Sequence, residues 1–133
     1  MIDIGELYLA KAQASLAGAE SELAQRRFDN AANRAYYACL QAAVAGLLWA
    51  GFQPPREAAT WDHGFVQARF VGELINRRKR YAPDLRDTLS ATIRLRHKAD
   101  YQYDSVTVDQ AIRMVRRATR FVEEVATKRR EQA

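Results

Sequence analysis

Residues 28 to 55 read FDNAANRAYYACLQAAVAGLLWAGFQPP, and the reading of this stretch decides the fold. From Ala35 to Pro55 it carries no charge, which approaches the roughly 20 apolar residues that cross a bilayer. Yet it is built mostly of Ala and Gly, has Gln41 in its middle and two tyrosines at its start, and is flanked by strongly polar sequence. That composition predicts a buried central helix rather than a membrane span. Asp29 or Asn30 is expected to cap the helix, and Gly51 with Pro54 and Pro55 to end it near Ala50. Ala31, Ala35, Ala38, Ala42 and Gly46 recur at three- and four-residue steps, so one face has almost no side-chain bulk and another backbone can approach it closely.

Outward from this helix the periodicity stays helical, with no credible strand. A first helix over about Asp3 to Arg26 places Leu7, Ala10, Ala14, Ala17 and Leu23 or Ala24 at core spacing. So short a connection to the second helix makes the two antiparallel neighbours. Residues 52 to 60 read as the main loop. A third helix follows through Phe65, Val66, Phe70, Leu74 and Ile75, ending in the basic run Arg77, Arg78, Lys79, Arg80, where cations suit a helix C-terminus. Pro83 fits the first turn of a fourth helix through Leu85, Leu89 and Ile93 to about Ala99. After a loop over 100 to 106, Thr107 and Gln110 form a capping box for a last helix whose apolar stripe is Ala111, Ile112, Val115, Ala118, Val122 and Val125. The expected architecture is one all-α domain over residues 1 to 133, an up-and-down bundle of four long helices with an additional shorter one.

Composition bounds the chemistry. The chain has 133 residues with 24 Ala, 6 Gly and 3 Pro, which excludes collagen-like and low-complexity classes and favours helix. The net charge is +5, from 17 Arg and 4 Lys against 16 acids, so anionic partners are favoured, and the planar guanidinium forks onto phosphate or carboxylate. One cysteine, Cys39, and two histidines, His63 and His97, leave disulfides and metal centres without ligands, so no cofactor or metal is expected. The opening MIDIGELYLA has acids where a secretory signal has bases, which makes the cytoplasm the expected compartment, with no membrane association.

No P-loop, glycine-rich dinucleotide turn, nucleophile elbow or paired-histidine zinc motif is present. What stands out instead is Arg94, Arg96, His97, Asp100, Tyr101 and Tyr103, close together at the end of the fourth helix. Arg96 and Asp100, four apart, read either as a surface salt bridge or as part of a cleft. Tyr101 and Tyr103 read either as bundle-end packing or as site residues, and His97 either as a hydrogen-bonding residue or as a base. On the second helix Arg34 and Tyr37, with Asn30 and Gln41, make a polar strip that needs partners and would find them in a cleft with Arg96. On the last helix Arg113, Arg116, Arg117 and Arg120 form a basic face, either a solvated surface or a phosphate-contacting track for RNA.

Asn33-Arg34-Ala35-Tyr36-Tyr37-Ala38, then Asp62-His63-Gly64 with Phe70 downstream, then Arg96-His97-Lys98-Ala99-Asp100-Tyr101, together resemble the small stand-alone HEPN domains of bacteria and archaea over roughly residues 5 to 125. The resemblance implies a helical bundle that pairs as a homodimer. It also implies a place in toxin–antitoxin or anti-phage systems, often beside a minimal nucleotidyltransferase, with metal-independent ribonuclease activity in many members. In those ribonucleases an Arg and, four to six residues later, a His project into a cleft between protomers. Here Arg96 opens the run Arg-x4-Tyr-x-Tyr, so Tyr101 stands where the histidine would, and a phenol titrating near 10 is a poor general base at neutral pH. His97 lies about 100° around the helix from Arg96 and is no simple replacement. The expectation therefore tilts toward a binding partner of a nucleotidyltransferase and of RNA. An endoribonuclease using Arg96 with Tyr101 or His97 is the alternative, and Tyr103 is, by resemblance, the tyrosine that receives AMP in some nucleotidyltransferase-paired relatives.

Overall fold

The structure, a computed structural model, describes residues 2–54 and 61–132 and contains only helices among them. Pro55 and residues 56–60 of the expected main loop lie outside the described residues. Helix α1 runs Ile4–Ala24, α2 Phe28–Trp49 and α3 His63–Arg69, which continues as a π-helix over Phe70–Arg77. A single 3₁₀ turn, Pro83–Leu85, leads into α4, Arg86–Tyr101, and α5 runs Val108–Gln132.

Local chemistry explains most boundaries. Asp3 caps α1 by accepting the Glu6 N–H at 3.1 Å. At the end of α2 the Gly51 N–H reaches Leu48 O and the Phe52 N–H reaches Leu47 O, both at 3.0 Å, around Gly51 at φ +95°. That is a Schellman termination, and its left-handed residue is one that glycine adopts without strain. Thr107 and Gln110 satisfy each other's backbone N–H groups at 3.2 and 3.0 Å, so the capping box opens α5 as its sequence predicts. Asp29, by contrast, is not a cap. It lies inside the first turn of α2 and accepts the Val106 N–H at 2.8 Å, tying the α4–α5 loop to α2.

α2 is the element on which α1, α3, α4 and α5 all pack. Its Ala31, Ala35, Ala38, Cys39, Ala42, Ala43 and Ala45 have no exposed surface. Directions follow from the cross-contacts. α1 meets α2 antiparallel, with Gly5 against Trp49, Ser15 bonded to Gln41 and Gly18 against Arg34. α4 also runs antiparallel to α2, Asn33 facing Asp100 and Tyr37 facing Arg96. α3 runs the same way as α2, since Tyr36 meets His63 while Gly46 meets Phe70. Phe70 then packs on Tyr81 and Phe121 at ring separations of 5.0 and 5.1 Å, joining the π-helix to α5.

The face that α1 buries differs from the one its periodicity suggests. Gly5, Ala12 and Ala19 point inward, whereas Leu7 is 50% exposed and Ala10, Ala14 and Ala17 face solvent. α1 has small apolar residues on both sides, so spacing alone does not choose between them. The choice is made by α2, whose Trp49 indole fills the space beside Gly5 and donates to Asp3 at 3.1 Å, while Arg129 of α5 lies 4.6 Å from the same ring and 2.9 Å from Asp3. The end of α4 also differs: the helix continues through Asp100 and Tyr101, both expected in the loop. No helix among the described residues is long and apolar enough to cross a membrane.

A methyl group at Gly5 would overlap the Trp49 ring. Gly5→Ala is therefore expected to destabilise the fold by about 1–3 kcal/mol through overpacking. Gly72→Ala, where an added Cβ meets nothing within 4 Å, is expected to leave stability unchanged or raised. Denaturant unfolding monitored by tryptophan emission separates them, and equal midpoints would contradict this packing.

Candidate functional site

The first half of α2 carries the only polar strip on an otherwise alanine-lined helix, and α4 lays Arg96 across it. The Arg96 guanidinium carbon lies 5.2 Å from the Tyr36 ring centre, 5.9 Å from Tyr37 and 5.6 Å from Tyr101. Its Nε is 3.0 Å from an Asp100 carboxylate oxygen, but off the line of its own N–H, so the pair is electrostatic rather than a directed hydrogen bond. Asp100 in turn accepts from the Asn33 amide at 3.1 Å. Arg34 donates to Asn33 Oδ1 at 2.7 Å and stacks 5.1 Å from Tyr37, on the same phenol that Arg96 approaches. The two arginines thus share Tyr37 between them, bracketed by Asn33 and Asp100.

Two imidazoles flank the cluster. His63, in the first turn of α3 after the Asp62 cap, meets the Tyr36 hydroxyl through Nδ1 at 2.5 Å. His97 lies 5.2 Å from Tyr101, ring to ring. Burial pushes the Tyr36 phenol up to about 12, with Arg96 pulling the other way. For Arg96 burial disfavours the charge, but the phenols of Tyr37 and Tyr101 and the Asp100 carboxylate outweigh it and raise the guanidinium above its ordinary value. The electrostatics therefore hold Arg96 as a permanent cation wrapped in aromatic faces, and Tyr36 as a neutral phenol.

Of the residues singled out in the sequence, Arg96, Asp100, Tyr101, Arg34 and Tyr37 come together. Asn30 does not join them, because its amide turns to Glu22 of α1 at 3.4 Å. Tyr103 is fully exposed: α4 ends at Tyr101, so the helical repeat that would have carried Tyr103 onto the Arg96 face is gone. Tyr101, still helical, is 65% exposed at the edge of the cluster. Asn33, Tyr36 and His63 also belong to the cluster, although the spacing of the sequence gives none of the three a site role. The available signal was a phenol and an amide on a helix otherwise made of alanine.

The arginines of α5 divide. Arg120 pairs with Asp84, and Arg116 is exposed. Arg113 and Arg117 turn toward α4 and, with Arg94, line a cavity of about 400 Å³ between the two helices. Arg94 is two residues, about 200°, from Arg96, so this cavity lies on the opposite side of α4 from the tyrosine cluster.

Sequence and geometry together define a helical protein of the kind that presents an arginine at the end of one core helix to a polar strip on another. The model of the HEPN domain matches residues 6–130, and the chain belongs to that family. Among curated proteins no match is found.

Tyr36 and Cys39 share one pH consequence. Burial raises both to about 12, from 10.0 for the phenol and 9.0 for the thiol. The folded state holds these protons more tightly than the unfolded state, so the stabilisation is complete below pH 9 and is lost as pH rises to about 12. Stability from denaturant unfolding is expected to fall across that window, and Cys39→Ala is expected to remove its lower part. A flat profile up to pH 12 would contradict the burial of both groups.

Proposed function

We propose that the protein is a HEPN binding component of a toxin–antitoxin or defence system: a four-helix bundle with one extra helix that pairs as a homodimer and engages a minimal nucleotidyltransferase and RNA, in the cytoplasm. The observation that carries this reading is the state of Arg96. Three phenol rings and a carboxylate already surround its charge, and the position of the family's histidine holds a phenol, Tyr101. A cation held in this way by rings and one carboxylate contributes to recognition through the surface it organises. Stabilising a pentavalent phosphorane requires instead a donor that strengthens its contacts as charge develops. The full exposure of Tyr103, beyond the end of α4, supports its accessibility to a modifying partner.

One observation favours a second reading, a metal-independent endoribonuclease. His97 lies 5.2 Å from Tyr101, the two rings tilted, and Arg96 lies over that same phenol, so an imidazole stands one ring away from the arginine. In that reading Arg96 stabilises the phosphorane and His97 or Tyr101 moves the proton.

The two readings separate in one experiment. The protein is purified with and without a co-expressed partner nucleotidyltransferase, and RNA degradation and intact mass are compared for wild type, Arg96→Ala and Tyr103→Phe. The binding reading expects no cleavage and a one-AMP mass increase that vanishes in Tyr103→Phe. Cleavage abolished by Arg96→Ala would establish the enzyme instead. Native mass measurement is expected to give twice the 15.1 kDa chain at micromolar concentration. RNA affinity is expected to fall by orders of magnitude between low and physiological salt; salt-independent binding would contradict an arginine-driven contact.

A further inference from the structure

The α4–α5 cavity has a composition that neither helix packing nor the Arg96 cluster accounts for. Three arginines converge on it from two helices, Arg94 from α4 and Arg113 and Arg117 from α5. Arg113 and Arg117 are four apart, a like-charge spacing that costs a helix a few tenths of a kcal/mol. Among the described residues no carboxylate stands within ion-pair distance of any of the three. The fourth cation, Lys98, is already engaged, by Gln110 at 3.2 Å and Asp104 at 3.5 Å. Arg117 is drawn partly inward, close enough to the buried Cys39 thiol to counter some of the effect of its burial. The remaining wall is mixed: Ala91, Leu95 and Met114, with Met114 only 8% exposed, form an apolar patch beside the amides of Gln102 and Gln110.

We propose that this cavity binds a small phosphate monoester carrying an apolar or ring-shaped body. Three forked guanidiniums approaching from two helices present donors in several directions, which suits a tetrahedral dianion better than a planar carboxylate with one charge. The cavity's volume of about 400 Å³ fits a metabolite-sized ligand. Leu95 and the adaptable Met114 thioether offer the ligand's body an apolar contact, and no aromatic ring lines the cavity on which successive bases of a nucleic acid could stack. The site stands apart from the Arg96 cluster, since it occupies the other side of α4 and needs neither a partner protein nor Arg96; it shares Arg113 and Arg117 with the basic face of α5.

Phenyl phosphate, inorganic phosphate and phenyl sulfonate are titrated calorimetrically into the full chain. Phenyl phosphate is expected to bind one-to-one, roughly tenfold or more tighter than inorganic phosphate through the apolar patch, and similarly tighter than the singly charged sulfonate. Arg113→Gln and the double variant Arg94→Gln with Arg113→Gln change exposed side chains, so they are expected to melt as wild type does while losing about tenfold or more in affinity; Arg77→Gln, at a distant surface ion pair, is expected to bind as wild type. No saturable phenyl phosphate binding, or equal affinity for phenyl and inorganic phosphate, would overturn the proposal. So would undiminished binding in the folded double variant. Displacement of phenyl phosphate equally well by 5′-phosphorylated and 5′-hydroxyl RNA oligonucleotides would overturn it in favour of an RNA-backbone contact. Displacement by neither oligonucleotide, or only by the phosphorylated one, supports recognition of the terminal monoester.

Discussion

The bulk-free surface of α2 is the constraint from which the rest of the structure follows. Seven of its small residues have no exposed surface, so the elements packed around α2 gain attraction from close backbone approach rather than from large interdigitating side chains. Close approach leaves little room for adjustment. Trp49 can sit against α1 only because residue 5 is glycine, and its indole then orders Asp3 and Arg129 from two other helices. Large side chains from other elements fill the space this surface leaves: Phe70 and Tyr81 lie against Gly46, and Phe70 also packs on Phe121.

The same economy places the site. Because α2 is narrow, α4 lies near enough for Arg96 to reach the faces of Tyr36 and Tyr37. Guanidinium over aromatic faces is favourable by roughly 0.5–2 kcal/mol per contact, more as water is excluded. Asp100, one turn away on α4, adds its charge and is itself oriented by Asn33. The charge of Arg96 is thereby compensated within the protomer by rings and a carboxylate, while its Nε–H makes no directed hydrogen bond.

Much of the fold is legible in the sequence because its signals are local. The capping box at Thr107 and Gln110, the glycine stop at Gly51 and the alanine repeat of α2 each depend on a few neighbouring residues, and each forms as read. α1's inward face was not legible, because it is set by what α2 presents and not by α1's own spacing. Asp29 has the right chemistry for a cap, yet a donor distant in sequence, Val106 N–H, takes its carboxylate. The site was legible in part: Arg96, Asp100, Arg34 and Tyr37 meet, while the contribution of His63 depends on α3 running alongside α2, which no local pattern records. The position of Tyr103 turns on where α4 stops, and residues 100 to 103 carry no strong termination signal. The arginines of α5 read as one face, but packing against α4 sorts them into a cavity pair, an ion-paired residue and a solvated one.

The central claim is that Arg96 is a captured cation within its own protomer. The ¹⁵Nε–H resonance of Arg96, assigned by comparison with Arg96→Lys, tests it most directly. Enclosure by three phenols is expected to give a ring-current-shifted signal distinct from those of solvated arginines, and Tyr37→Phe is expected to preserve that shift while Tyr37→Ala reduces it. A signal at the averaged position of exposed arginines, unmoved by Tyr37→Ala, would contradict the claim.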